Sequence, residues 1–523
     1  MRGGDQGPHR PLACGTCQAL LPRHLGLSGG SEFHYAQCVT ENRTSPVSEA
    51  RSEPSRRRTF VNILVNTAVA NLTTSYLWFA LTFWIYLETR NVIATGVVGG
   101  IYMLLLALSS ISFGTLVDRY RKLAVMRFAG LFTLVMFLLA GAVFLLAPEG
   151  QIARLGGPWF WVFAAVTLIG AVVENMRNIA LSTTVTILVE PEKRANANGL
   201  VGMVQGIAFM VTSVLSGLSI GLLGMGATVV IAVVLTALAF GHLLTVRMPE
   251  EAAPVPSDAH GGFDLAGSWR AVMVVAGLFA LIIFSTFNNF IGGAYIALMD
   301  PYGLELFSVE MWGGLFALAS TGFIVGGAVI GKVGLGSNPL RTMLLVVMVL
   351  GLLGALFTIR EWGWLYIAGI WLYMALFPAV EAAEQTVIQR VVPLARQGRV
   401  FGFAMAFESS AAPVTAFVVA PLAEFWIIPY ARSDAGAAAL EPLLGEGTAR
   451  GIALIFLCAG ALMILAAALA FLTPVYRRVS AEYARAAAED RARGERGEAP
   501  GTIGGAGLTR ETRAGDEPLE SPR

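Results

Sequence analysis

The amino-acid sequence predicts an all-α membrane protein, with twelve transmembrane helices in two six-helix, pseudo-symmetric halves. Three observations predict it. First, apolar stretches of roughly 20 residues or more recur along the chain, each long enough to cross a bilayer core as a helix. The 523 residues are 55% hydrophobic and only 14% charged, where a soluble domain carries about 25%. Second, the bases gather in alternate inter-span loops, as they do when a chain crosses a membrane repeatedly. Third, the two halves echo each other in sequence. A backbone in lipid must satisfy its own hydrogen bonds, so repeated apolar segments of this length form a helical bundle.

In the first half the spans are expected at 60–87, 92–116, 123–146, 159–188, 196–222 and 225–246. In the second half they are expected at 269–298, 311–334, 340–359, 363–391, 399–428 and 450–473. The stretch RMPEEAAPVPSDAHGGFDLA (247–266) is polar and rich in Pro and Ala, and it reads as a linker. The expected division is therefore an N-terminal six-helix bundle (56–248), a cytoplasmic linker (249–266) and a C-terminal six-helix bundle (267–474). Residues 1–55 and 475–523 are polar tails without apolar periodicity. The first reads as disordered, the second as a charged helical extension (AEYARAAAEDRARGERGE) with a disordered end.

Bases set the orientation. Arg56, Arg57 and Arg58 precede span 1; Arg119, Arg121 and Lys122 follow span 2; Lys193 and Arg194 follow span 4. Arg247 follows span 6, Arg341 span 8, Arg396 and Arg399 span 10, and Arg477 and Arg478 span 12. With twelve spans all of these lie on one face, which should be cytoplasmic and hold both termini. The opposite loops are poorer in bases: GLLGMG carries none and DPYGLELFSVE only acids. Trp84, Tyr86, Trp159, Trp161, Trp312, Trp362, Trp364, Trp426 and Tyr430 fall at the expected outer boundaries, where amphipathic rings prefer to lie.

ILVEPEKRANANGLVG (187–202) echoes RVVPLARQGRVFGFAM (390–405), with a Pro, then bases, then a Gly opening the next span. IYMLLLALSSISFGTL (101–116) echoes LFALASTGFIVGGAVIG (315–331). Repeated six-helix halves are a transporter signature, with the binding site near the midplane between repeats.

GTLVDRYRK (114–122) sets an acid and three bases between stretches that carry no charge, 92–113 upstream and 128–148 downstream. An acid at the membrane boundary can pair with Arg or Lys and accept hydrogen bonds from a helix N-terminus. Such a cluster can hold two helices in one conformation and release them in another. The plainer alternative is that the bases only fix topology. Asp118 favours the latch, because the positive-inside rule wants no acid there. The counterpart GKVGLGSNPLR (331–341) has no acid, so the latch is expected to be asymmetric.

The same stretch resembles the loop between spans 2 and 3 of the major facilitator superfamily: Gly, three residues, Asp, Arg, then further bases. The matching positions are Gly114, Asp118, Arg119, Arg121 and Lys122. The family commonly has a Gly where this chain has Arg121, so a looser turn is expected. The resemblance covers roughly residues 59–474. Within it, LVEPEKRANANGLVGMVQGIAF (188–209) and RQGRVFG (396–402) are most similar to the branch of macrolide-type and other drug efflux proteins. The antiporters of that branch often carry Gly-Pro in span 5, where this chain has Thr212-Ser213 and keeps only Gly217.

The resemblance implies a plasma-membrane transporter that exports lipophilic, drug-like molecules in exchange for protons by alternating access. The departure in span 5 keeps import or facilitated diffusion of a small metabolite open. A non-transporting sensor of this fold is a further alternative. An enzyme is not expected: no HExxH motif lies in any span, and His242 is the only histidine inside one.

Ionisable residues at membrane depth are functional candidates. Glu174 lies fifteen residues from the outer end of span 4, so about 22 Å of helical rise places it near the midplane. Arg177 shares its face at i,i+3. The two read as a neutralising pair with a structural or gating role, which makes Glu174 a poor proton carrier. Glu381 and Glu384 in span 10 share a face with no base until Arg390. Two adjacent carboxylates in low dielectric cannot both ionise easily, so they are candidate proton carriers. Pairing of one with Arg177 is the structural alternative. Glu408 in span 11 is the third candidate.

The resemblance implies a central cavity lined by spans 1, 4, 7 and 10. Span 1 offers Thr67, Asn71 and Thr74 on one face, and span 7 offers Ser285, Asn288 and Asn289. These could hydrogen-bond a substrate, although helix–helix contact is the commoner use of such residues. Trp371, with Tyr373 and Phe377, offers an aromatic wall to a lipophilic ligand.

Cys14, Cys17, His34 and Cys38 have a C-x2-C…H-x3-C spacing that could bind zinc, but the residues between could build little core, and no metal is expected. A second reading of this region is a start at Val47, whose codon could be GTG, leaving residues 1–46 untranslated. With Cys458 in the last span, four cysteines make no disulfide framework. No cofactor is expected, the proton gradient being the energy source. The expected partners are a small-molecule substrate and the lipid bilayer, with no nucleic acid, and the protein is expected to be a monomer.

Overall fold

A computed structural model of the chain describes residues 53–89, 92–148, 150–248, 264–444 and 449–496. The readings of Cys14, Cys17, His34 and Cys38, of a start at Val47, and of most of the linker lie outside these residues. Helices α1 (Glu53–Thr89), α2 (Val92–Arg119), α3 (Lys122–Leu146), α4 (Pro158–Leu188) and α5 (Arg194–Thr245) form the first half. A short helix α6 (Leu265–Val274) leads into α7 (Leu278–Leu306), α8 (Val309–Val333), α9 (Pro339–Leu356), α10 (Gly363–Val391) and α11 (Leu394–Leu422). Five residues of π-helix, Ala423–Ile427, and the short helices α12 (Ile428–Arg432) and α13 (Asp434–Leu444) precede α14 (Ala449–Leu472) and α15 (Pro474–Glu495).

Among the described residues, ten helical runs are long and apolar enough to cross a membrane. One of them holds α5, whose 52 residues would rise about 78 Å as one helix, far more than a bilayer core of about 30 Å. It is broken at Gly224, where φ is +76°, a conformation that costs glycine little. α5 thus supplies two spans, and the 29-residue α11 completes twelve. The sequence lets these helices start cleanly. Proline stands at the first turn of α4 and α9, and the side chains of Ser308 and Asn338 cap α8 and α9.

Several expectations are corrected. The span at 269–298 is two helices: Gly277, at φ +88°, separates α6 from α7, and α7 continues through DPYGLEL to Leu306. The turn after α2 is tight, with only Tyr120 and Arg121 between it and α3, so Arg121 in place of Gly does not loosen it. Trp84 and Trp312 are buried in the bundle rather than offered to an interface. Trp84 stacks on Phe160, and Trp312 stacks on Tyr366 and donates to Asp300. Trp161, Trp362, Trp364, Trp426 and Tyr430 are exposed at that end.

Within the first half α1 packs on α4 and α5, and α3 on α4; within the second, α9 packs on α10 and α14, and α7 on α11. The halves meet chiefly along two pairs, α2 with α11 and α5 with α8. Small residues permit both approaches. A methyl on Gly114 would overlap the carbonyl of Gly398, and one on Gly199 would overlap the backbone of Gly331. Both contacts lie toward the end that carries the bases, called here the basic end.

Candidate functional site

The strongest cross-half contacts seal the basic end. Asp118 is buried in the last turn of α2 and accepts hydrogen bonds from the backbone N–H groups of Gly398 (2.6 Å) and Arg399 (2.9 Å) near the start of α11. The positive charges of Lys122 and Arg399 lie within electrostatic reach of it. Lys122 is buried, whereas Arg119 and Arg121 are exposed. Arg399 also reaches Asp264 at 3.4 Å, and Asp264 caps α6 through the N–H of Gly267. At the symmetry-related crossing of α5 and α8 an amide replaces the acid. Asn196 donates to the carbonyls of Gly331 (3.2 Å) and Ile330 (3.4 Å).

Between these crossings lies a polar layer that the sequence reading did not single out. Arg194 donates to the carbonyl of Gln389 at 2.9 Å. Asn198 donates to Thr386 and to Gln389 Oε1, both at 2.9 Å. Gln389 donates to the carbonyl of Ser182 at 2.9 Å. The available signal was the polar run Gln385-Thr386-Gln389-Arg390 inside an otherwise apolar helix.

Glu174 and Arg177 form a buried ion pair inside the first half. Glu174 also accepts from Thr133 of α3 at 3.0 Å, and Arg177 donates to Asn66 of α1 at 2.7 Å. Asn66 in turn donates to the carbonyl of Ala239 at 2.7 Å. The pair therefore joins α1, α3, α4 and α5, and neither Glu381 nor Glu384 pairs with Arg177.

The three carboxylates of the second half come together. Glu381 and Glu384 of α10 and Glu408 of α11 lie within electrostatic reach of one another, with Ser285 of α7 beside Glu384. Among the described residues no base forms an ion pair with any of them. One oxygen each of Glu384, Glu408, Ser285 and Asn288 is buried without a hydrogen-bond partner in the protein. Desolvated, unpaired carboxylates are costly. Among the described residues no cluster of three His, Cys, Asp or Glu could hold a metal ion.

The other cavity candidates divide. Thr67, Thr74, Ser285 and Asn288 are buried; Asn71 and Asn289 are half-buried, and Asn71 donates to Asn178 of α4 at 2.9 Å. Trp371 lies in a groove between α8 and α10, where its Nε1 donates to Thr321 at 3.0 Å. The two helices touch at Gly322 and Gly326 and diverge toward the end away from the bases. The groove there, about 660 Å³, is lined by apolar residues including Met311, Leu315, Leu318, Trp364 and Ile367.

Residues 63–416 match the family described as Major Facilitator Superfamily. No curated protein sequence matches the chain. Among solved structures, a bacterial homologue of the iron transporter ferroportin, in an outward-facing state with soaked iron, is 14% identical with a TM-score of 0.56. The match covers 78% of this chain and 98% of that one. The human organic anion transporter MFSD10 is 13% identical with a TM-score of 0.60, covering 78% and 99%. The proton:xylose symporter XylE is 13% identical with a TM-score of 0.57, covering 80% and 96%. At these identities the likeness is one of fold.

Proposed function

The chain belongs to the Major Facilitator Superfamily, and on that premise we propose that it is a secondary active transporter that exports lipophilic small molecules in exchange for protons. The family and its neighbours support transport rather than enzymatic chemistry. The neighbours carry iron, organic anions and xylose, so they name no cargo for this chain. The protein is a multi-pass membrane protein; its basic end is proposed to be cytoplasmic, with both termini there, in the plasma membrane, as a monomer without a cofactor.

One observation carries the proton coupling: among the described residues Glu381, Glu384 and Glu408 gather without an ion-paired base, while Glu174 is held by Arg177. A carboxyl that cycles its proton must not be tied to a fixed cation. The apolar groove at Trp364 and Trp371, between two helices of the second half and away from the midplane site, supports an affinity for lipophilic molecules on the way to or from that site. Substrate binds between the halves near the midplane, and the halves rock about it.

The test is transport in energised inside-out vesicles holding the overproduced protein. Fluorescent lipophilic compounds are followed with and without a protonophore, beside Asp118→Asn and the double variant Glu381→Gln/Glu384→Gln. Protonophore-sensitive uptake, lost in the variants, is expected. Uptake that ignores the protonophore selects the second reading, a uniporter or importer of a metabolite, which Thr212-Ser213 in place of Gly-Pro keeps open. A protein that moves nothing in any assay would be left as a sensor of this fold.

A further inference from the structure

Arg390 ends α10 at the basic end and is buried. Three groups from two parts of the chain converge on it. Glu192, in the link between α4 and α5, places Oε1 3.4 Å from Nη2. Asp490 of α15 places Oδ2 3.4 Å from Nε. Tyr483 of α15 has its hydroxyl 3.3 Å from Nη1 and its ring centroid 5.1 Å from the guanidinium carbon, within cation–π range. A second buried guanidinium, Arg194 at the start of α5, donates at 2.9 Å to the carbonyl of Gln389, the residue before Arg390, and so lies within electrostatic reach of Arg390 and of the Glu192, Asp490 and Tyr483 around it. One arginine belongs to each half, so two like charges face each other across the seam.

α15 is fixed to the second half. Val479, Tyr483 and Asp490 lie on its inward face, with Val479 only 2% exposed and set against Gly277, where no Cβ intervenes. Asn338 donates to Ser480 at 3.3 Å. Its outward face carries Arg477, Arg478, Arg485, Glu489 and Arg491. This is the pattern of an amphipathic helix docked along one stripe.

We propose that α15 is a clamp on the basic end, with Asp490 as its closing residue. Asp490 is 19% exposed and neutralises Arg390 and Arg194 together when the halves meet. If the halves part there, a motion taken from the proposed transport cycle, Arg194 leaves with the first half. Arg390 and α15 stay with the second. Asp490 then keeps one of its two cations, so its charge favours the closed state over the open one. A group can shift a conformational equilibrium only by such a difference. Glu192 is 58% exposed and screened by water, so it contributes less. Without Asp490, the closed state retains two buried arginines in mutual repulsion, and opening relieves it.

The experiment reads the seam directly and needs no substrate. In the full-length chain Cys14, Cys17, Cys38 and Cys458 are replaced by serine and Ser182, which faces Gln385 across the seam at 3.4 Å, is changed to cysteine. The rate of maleimide labelling is measured in the purified protein. Asp490→Asn is expected to raise it roughly fivefold, while Glu489→Gln, on the outward face, and Asp490→Glu leave it near the parent rate. A second reporter, Ala180→Cys in the interior of α4, stays unreactive throughout. An unchanged rate in Asp490→Asn overturns the clamp. So does a rise that Glu489→Gln or Asp490→Glu shares, or one matched at Ala180→Cys, because either would mean a general loosening of the bundle.

Discussion

Asp118 accepts the backbone N–H of Gly398 at 2.6 Å, across 280 residues of chain and from one half of the protein to the other. The acid sits in the first half, and the amides that satisfy it belong to the positive end of a helix in the second. No partner within α2 could replace both amides, since the helix spends its own N–H groups on its own carbonyls. Asp118 is therefore satisfied in this way only while the basic end is closed. A carboxylate buried in a seam makes closure specific, because its desolvation is offset only when the facing amides are in register.

Asp118→Asn keeps the shape and removes the charge. Hydrogen bonds to a charged group are worth about 1.5–3 kcal/mol net, and part of this is lost in the variant. The closed basic end should lose roughly a factor of ten in population, with little change in the yield of folded protein. Maleimide labelling of Ser182→Cys measures it. A rate equal to the parent's would show that the amides hold Asp118 without favouring closure.

The crossing of α8 and α10 gives a sharper steric prediction. A methyl on Gly326 would overlap the carbonyl of Ala375, whereas one on Gly313, in the same helix, meets nothing within 4 Å. Overpacking costs about 1–3 kcal/mol, while alanine gains about 1 kcal/mol over glycine in a helix interior. Gly326→Ala should lower the thermal midpoint in detergent, and Gly313→Ala should leave it unchanged or raise it. Equal midpoints would mean that the two helices can slide apart at no cost.

Much of this architecture was legible in the sequence, and the misses share a cause. The spans follow from apolar length, because lipid imposes that constraint locally. The break at Gly277 was not legible: the stretch WRAVMVVAGLFAL (269–281) is apolar on both sides of it, and only a backbone angle marks it. The approach of Glu381, Glu384 and Glu408 was half legible. The helix spacing gives the first pair, but Glu408 lies on another helix, and its direction depends on how α11 packs on α7. The partners of Arg390 were hidden for the same reason. The alternation of alanine and charge in α15 shows an amphipathic helix but not the surface that it covers.

The groove between α8 and α10 predicts a change in affinity without a change in fold. Ala368 lines it, and Ala368→Phe fills space that the protein's own side chains do not use. If lipophilic cargo occupies the groove, KM should rise roughly tenfold with kcat little changed, the signature of lost ground-state binding. Uptake into inside-out vesicles over a range of cargo concentrations gives both constants. An unchanged KM would take the groove off the transport path.

Glu174 and Glu384 are both buried acids, yet they should respond in opposite ways to the same substitution. Glu174→Gln leaves Arg177 charged and buried with only neutral acceptors, the introduced amide and Asn66, and breaking a buried pair costs about 3–5 kcal/mol. Glu384 has no cation to abandon. Glu384→Gln removes one of three crowded carboxylates and keeps an oxygen toward Ser285, so its cost should stay below about 1 kcal/mol. Thermal unfolding in detergent separates them: a large drop for Glu174→Gln and a small or positive shift for Glu384→Gln. Transport should invert the order relative to stability. Glu384→Gln/Glu408→Gln, with the fold intact, loses the protonophore-sensitive component, because the group that releases a proton is gone. If Glu384→Gln proved as destabilising as Glu174→Gln, the three carboxylates would be a structural cluster with a cation partner of their own. Proton coupling would then have to reside elsewhere in the bundle.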